Sequence, residues 1–218
     1  QDYGIGPDDN ATCTTLNIQP VIPLSVSQDM NLIIRTIVPF IWSESPVEGG
    51  SNASGMGDIT QSFFVSPKET LGGWIVGFGP VLLYPTAALD ALGSQKWGAG
   101  PTGVLLRQEK GFTYGLLFQH IWSFSGDNDY EDISASLLQP FFSYTTKTFT
   151  SLGANTESTY DWKTHAWIVP INVSLTQMLK IKGQPLSLKL GYLYYADAPE
   201  YGPEWGLRFT LTFLFPKG

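Results

Sequence analysis

From Pro203 to Pro216 a large apolar residue occupies every second position. Trp205, Leu207, Phe209, Leu211, Phe213 and Phe215 share one parity; Glu204, Gly206, Arg208, Thr210 and Thr212 share the other. A period of two is the signature of a β-strand, whose side chains alternate between two faces. Six large apolar residues on one face exceed what a half-exposed strand in water needs. A strand that meets hydrocarbon with every second residue needs that face. The pattern recurs along the chain. It predicts strands over 13–26, 31–43, 56–66, 73–86, 96–108, 112–125, 131–145, 148–161, 165–180, 185–197 and 203–216. All reach or exceed the roughly 9–11 residues a tilted strand needs to cross a bilayer. Strands of water-soluble proteins usually run about 5–6 residues.

The connections alternate in character. Ser27–Met30, Glu109–Gly111, Thr146–Lys147 and Ile181–Gln184 are short, and Pro67–Gly72 is somewhat longer. Glu44–Gly55, Ala87–Gln95, Gly126–Tyr130 and Ala198–Gly202 are longer on average and draw on Gly, Ser, Pro and acidic residues. Trp162–Thr164 is a short exception on that side. Short turns at one end and longer loops at the other predict an antiparallel up-and-down barrel. Eleven strands would break the even count usual for bacterial single-chain barrels. A further strand at Gln1–Gly6, with Pro7–Thr12 as its loop, restores it. The expected fold is therefore all-β, a single transmembrane β-barrel domain of about 12 strands over residues 1–218. The alternative is ten strands, with residues 1–26 plugging the interior.

Composition agrees with this pattern. Only 14% of the 218 residues are charged, against about 25% in an ordinary domain. Aromatic residues reach 14%, with 7 Trp, 10 Tyr and 13 Phe. No run of 18 apolar residues occurs, which argues against a transmembrane helix. The net charge is −7 with no Lys/Arg cluster, so no nucleic-acid footprint is expected. Cys13 is the only cysteine and cannot form an intrachain disulfide. Gln1 is not an initiator Met and no signal-peptide core is present, which predicts a processed or trimmed chain.

The tryptophans sort by end. Trp42, Trp97, Trp122, Trp162, Trp167 and Trp205 fall at or beside the long-loop ends of their strands. Trp74, Tyr114, Tyr144 and Phe215 fall at the other. Two interfacial aromatic girdles would place rings this way. Parity then assigns an interior. Arg35, Asp58, Asn155, Glu157, Lys189, Glu204 and Arg208 are expected to line the lumen, beside Asn17, Gln19, Asn172, Ser174, Thr176 and Ser187. Either a selective polar constriction or a charge network that fills a closed barrel would use them. Ile33, Ile37, Val81, Leu83 and Leu193 share the interior parity and make it mixed in polarity. Seven prolines lie inside predicted strands, at positions 20, 23, 39, 80, 101, 140 and 170, and predict bulges or kinks.

Several segments also carry a family resemblance. They include Leu16 to Pro23, Asn31 to Pro39, Gly57-Asp58-Ile59, Gly77 to Pro80, Tyr84 to Ala87 and Leu92 to Pro101. Gln139-Pro140-Phe141, Glu157 to Trp162 and Pro203 to Phe209 complete the set. Together they resemble the outer-membrane β-barrel family labelled MetA-pathway of phenol degradation, a transporter family. The resemblance implies an outer-membrane barrel that passes aromatic or other hydrophobic compounds, with no catalytic residues and no cofactor. The expected partners are the lipid bilayer and a small-molecule solute, and self-association through aromatic outer strips is left open.

Two rival functions remain at this stage. One is a structural or adhesive barrel with a plugged lumen; the loop Glu44–Gly55, with Glu44 and Glu48, suggests no specific ligand for it. The other is an outer-membrane lipid enzyme. Only His120 and His165 could act as histidine bases, and Ser123, three positions from His120, faces the opposite side of the strand. Neither a G-x-S-x-G motif nor a metal-ligand spacing is present.

Overall fold

The computed structural model describes residues 1–46 and 50–215; Glu48 and Pro216 lie outside the described residues. Its strand segments are β1 (Asp2–Ile5), β2 (Ala11–Ile18), β3 (Val21–Ser25), β4 (Met30–Ser43) and β5 (Ala53–Met56). There follow β6 (Ile59–Pro67), β7 (Trp74–Tyr84), β8 (Lys96–Glu109), β9 (Phe112–Gly126) and β10 (Ser134–Thr145). The last are β11 (Thr150–Thr156), β12 (Ser158–Asp161), β13 (Ala166–Ile181), β14 (Gln184–Asp197) and β15 (Trp205–Phe213). One 3-10 turn, Asp90–Leu92, interrupts the β structure.

These segments make twelve antiparallel strands, because β2/β3, β5/β6 and β11/β12 are each one strand broken in two. The short N-terminal segment closes the sheet. Asp2 and Tyr3 of β1 pair Gly206 and Trp205 of β15, while Asp2 and Ile5 pair Cys13 and Ala11 of β2. Residues 1–26 therefore belong to the wall, and the ten-strand alternative falls. The two-residue turns Lys110-Gly111 and Lys182-Gly183 hold both φ angles positive, at 50° and 87° and at 50° and 90°. That is the turn whose twist matches two paired strands.

The expected bulges or kinks appear at some of the prolines and not at others. Pro20 marks the β2/β3 break, and Pro170 sits at a register shift against β14. Pro80 and Pro101 instead face each other in unbroken register, as do Pro140 and Leu116. In an antiparallel ladder each N–H points to one neighbour only, so a proline removes one bond without slipping the register.

Burial separates the faces. Phe78, Leu190 and Phe209 are 67%, 63% and 65% exposed on the outside. One position out of phase, Val81, Thr102 and Asn172 are 0%, 0% and 1% exposed. The register carries this alternation across strands: Leu188, Leu190 and Tyr192 lie opposite Leu211, Phe209 and Leu207. Inside, Phe64, Val81 and Ile121 form an apolar wall on β6, β7 and β9. Of the interior charged groups, Lys189 and Arg208 lie on β14 and β15, Glu157 at the β11/β12 break and Arg35 on β4.

Candidate functional site

Arg208 of β15 and Glu157, at the β11/β12 break, meet inside the barrel. Arg208 donates from Nη1 to Glu157 Oε1 at 2.6 Å and from Nη2 to Oε2 at 3.2 Å. Two parallel bonds from a planar guanidinium fix the geometry as well as the charge. Asn155 Nδ2 adds a bond to Oε1 at 3.4 Å. The break has a local cause. Thr156 pairs Ile171 and Thr159 pairs Ile168, so Pro170 stands between them and offers no N–H. The side chains of Arg208 and Glu157 are 36% and 33% exposed, so the pair borders open space.

Further charges lie around it. Arg35 of β4 donates to Gln19; with the amide oxygen turned towards it, the distances are 2.7 Å from Nε and 3.1 Å from Nη2. The Glu157 charge acts on both Arg35 and Lys189. Tyr195 donates its hydroxyl proton to Asp2 Oδ1 at 3.0 Å. Arg35, Lys189 and Arg208 thus face Glu157 and Asp2, which leaves an excess of positive charge. Among the described residues the Lys189 ammonium makes no hydrogen bond and no ion pair.

Between this belt and the short-turn end lies a cavity of about 310 Å³, bordered by Phe141, Ser143, Asn155, Ser174, Thr176 and Lys189. Asn172 pairs with Asn155 in the ladder and is buried, yet neither atom of its amide has a partner.

Asp58 and Glu204 do not join the cluster. The Asp58 carboxylate accepts from Thr86 N and Ala87 N, both at 3.1 Å, from Ser94 N at 2.6 Å and from Ser94 Oγ at 2.7 Å. It ties the segment 86–94 to the top of β6. Leu92 is buried there, and Ala88 N donates to Met56 O. Gly93 has no room for a Cβ between Ala87 and the Asp58 carboxylate, whose Cγ would lie 3.0 Å away. A second loop joins this one. The Tyr130 hydroxyl bonds Asp90, which with burial and neighbouring acids raises its pKa above the ordinary phenol value. Asp132 pairs with the buried Lys96 at 3.3 Å and accepts from Ser123, which holds its carboxyl below the ordinary value. Glu204 stands exposed at the mouth, its stem against Gly4.

On the outer face Trp42, Trp97, Trp122, Trp162 and Trp167 are between 42% and 52% exposed. Trp205 is half-buried and stacks on Tyr3 at 4.2 Å and on Tyr192 at 6.2 Å. His120 also faces outward, under Trp122 with ring centroids 4.0 Å apart. Its Nδ1 lies 2.7 Å from Ser136 Oγ, which also accepts from Trp162 Nε1 at 2.9 Å. No group reaches His120 Nε2 among the described residues, so nothing orients the ring as a triad would. Ser123, the serine near this histidine in sequence, is expected on the opposite side of the strand. Ser136 is found only through the β9–β10 register, in which it lies directly opposite.

Among solved structures the chain is similar to the crystal structure of the COG4313 outer membrane channel from Pseudomonas putida F1. The TM-score is 0.67 at 17% identity, covering 93% of this chain and 82% of that one. No family model and no curated protein matches the chain, so no family match stands behind the phenol-degradation resemblance. The structural likeness is one of fold: a closed, twelve-strand antiparallel β-barrel.

Proposed function

We propose that this chain is a bacterial outer-membrane channel that lets small solutes pass passively through its barrel. The observation that carries this reading is the inversion of an ordinary protein: exposed apolar residues outside, charged residues inside. Hydrocarbon accepts the first arrangement and water inside a barrel accepts the second. The likeness to an outer membrane channel supports the same reading. So does a Trp-rich band at the long-loop ends, which we take as the outer interfacial girdle. Lumen-lining roles then fall to Arg35, Asn155, Glu157, Lys189 and Arg208. The mixed polarity of the interior suits partly apolar solutes, aromatic ones included. The reading is a non-enzymatic one: among the described residues nothing reaches His120 Nε2 to orient the His120–Ser136 pair.

One observation favours a second reading. Asp58 binds the segment 86–94 across its end of the wall, and a barrel closed there would be structural. Conductance of the purified protein in a planar bilayer separates the two. Discrete, salt-dependent steps that Arg208→Ala or Arg35→Ala changes are expected of the channel. A folded, heat-modifiable but silent barrel would move the reading to a closed one.

A further inference from the structure

We infer that the barrel interior holds a binding site for small organic carboxylates, built around Lys189, Asn155 and the hydroxyls of Ser174 and Thr176, with the buried Asn172 behind them. The inference deepens the channel reading, since the bound anion would be the solute, but the site can be tested without conduction.

Three independent observations converge on it. The first is Lys189, which borders the cavity and whose ammonium has neither an ion pair nor a hydrogen bond among the described residues. A partly buried ammonium with three donors calls for an anionic acceptor. The belt beside it does not provide one: Glu157 is engaged by Arg208 through both oxygens and makes no ion pair with Lys189. The second is Asn172, 1% exposed, with both amide atoms unpartnered. Buried polar atoms are nearly always satisfied, and an exception marks a missing partner. Asn172 lies next to Ser174 on the interior parity of β13, and Asn155, opposite it, borders the cavity. The third is the cavity itself. At about 310 Å³ it stands at the small end of ligand pockets, and it sets the Phe141 ring among hydroxyls and an ammonium. An apolar body against Phe141, with a carboxylate towards Lys189, fits that division.

The acidic loops at the far end do not cancel this preference. Lys189 sits eight residues along β14 from Asp197 at the long-loop end, roughly 26 Å of strand at about 3.3 Å per residue. Salt screens exposed charges over about 8 Å at physiological strength.

The test uses the folded barrel in detergent and isothermal calorimetry with sodium benzoate, its neutral isostere benzamide, and inorganic phosphate. Benzoate is expected to bind and benzamide is not. Lys189→Gln should weaken benzoate at least about tenfold, the loss of one charge-assisted bond. Lys189→Arg should keep it, and shows that position 189 tolerates substitution. Absent benzoate binding, equal binding of benzamide, phosphate binding in its place, or unchanged binding by Lys189→Gln would each overturn the site. Benzoate binding to a barrel that is silent in bilayers would keep the site and remove the channel. Conductance without benzoate binding would do the reverse.

Discussion

At the scale of single residues, the Arg208–Glu157 pair sets the charge of the interior. It is one-third exposed, so its net contribution to stability is modest, on the order of 1 kcal/mol. Its larger effect is on the field. Glu157→Gln removes the carboxylate that offsets Arg35, Lys189 and Arg208. In a conducting barrel the reversal potential under a salt gradient should move towards anions, while the thermal transition falls by only a few degrees. An unchanged reversal potential would mean that permeating ions do not pass this pair. Parity alone placed Arg208 and Glu157 on the interior face. It could not have paired them, because β15 and β11 are not neighbours in the sheet and their contact depends on barrel closure. The same limit hid the bond from Tyr195 to Asp2; the contact of Ser136 with His120 needed only the register of two neighbouring strands, which the periodicity alone does not set. Asp58 and Glu204 show the converse. Both have interior parity at strand ends, where a nearby loop or the mouth, and not the belt, claims the side chain.

At the scale of elements, the periodicity found nearly every strand, because one alternation repeated over ten or more residues outweighs any single proline or glycine. The loops were legible only as polar connections. Their structure lies in side-chain bonds to residues far along the chain, as the knot around Asp58 illustrates. Gly57-Asp58, Thr86-Ala87 and Gly93-Ser94 recur among the segments that carry the family resemblance, and the fold brings them together at one carboxylate. Asp58→Ala would strip an ionised acceptor from three backbone N–H groups and one hydroxyl, each bond to a charged group being worth about 1.5–3 kcal/mol. Amide exchange across 86–94 should accelerate by at least tenfold, with the exchange of β13 and β14 unchanged. If the loop stays as protected as before, Asp58 does not hold it. The neighbouring loop has a pH-dependent tie. The Asp132 carboxyl is held below its ordinary value by Lys96 and Ser123. That contribution is complete above the unfolded carboxylate pKa of about 3.9 and fades as pH falls through the lower, folded value. Exchange in 127–133 should therefore rise below about pH 4, and Asp132→Asn should show the raised rate already at neutral pH.

At the scale of the whole molecule, closure rests on the weakest seam. β13 and β14 pair along almost their full length, from Val169 opposite Asp197 to Ile181 opposite Gln184. The four-residue β1 meets β15 through Asp2 and Tyr3 alone, and meets β2 across a register shift. A few contacts reinforce it. Gln1 N donates to Leu207 O at 2.7 Å, Leu207 N donates to Gln1 O at 2.8 Å, and Glu204 N donates to Tyr3 O at 2.9 Å. The Tyr3 ring lies flat on Trp205, with 9° between the planes. In hydrocarbon an unpaired backbone group has no water to turn to and costs several kcal/mol. This segment therefore supplies the pairing that joins β15 to β2. Tyr3→Ala removes a stack worth about 1 kcal/mol and should lower the heat-induced mobility shift in SDS gels by a few degrees. Deletion of residues 1–6 bares the facing edges of β2 and β15 at once, and the heat-modifiable band should vanish into aggregate. Should the truncated chain keep the full transition temperature, β2 and β15 must pair directly, and the closed barrel would not need β1.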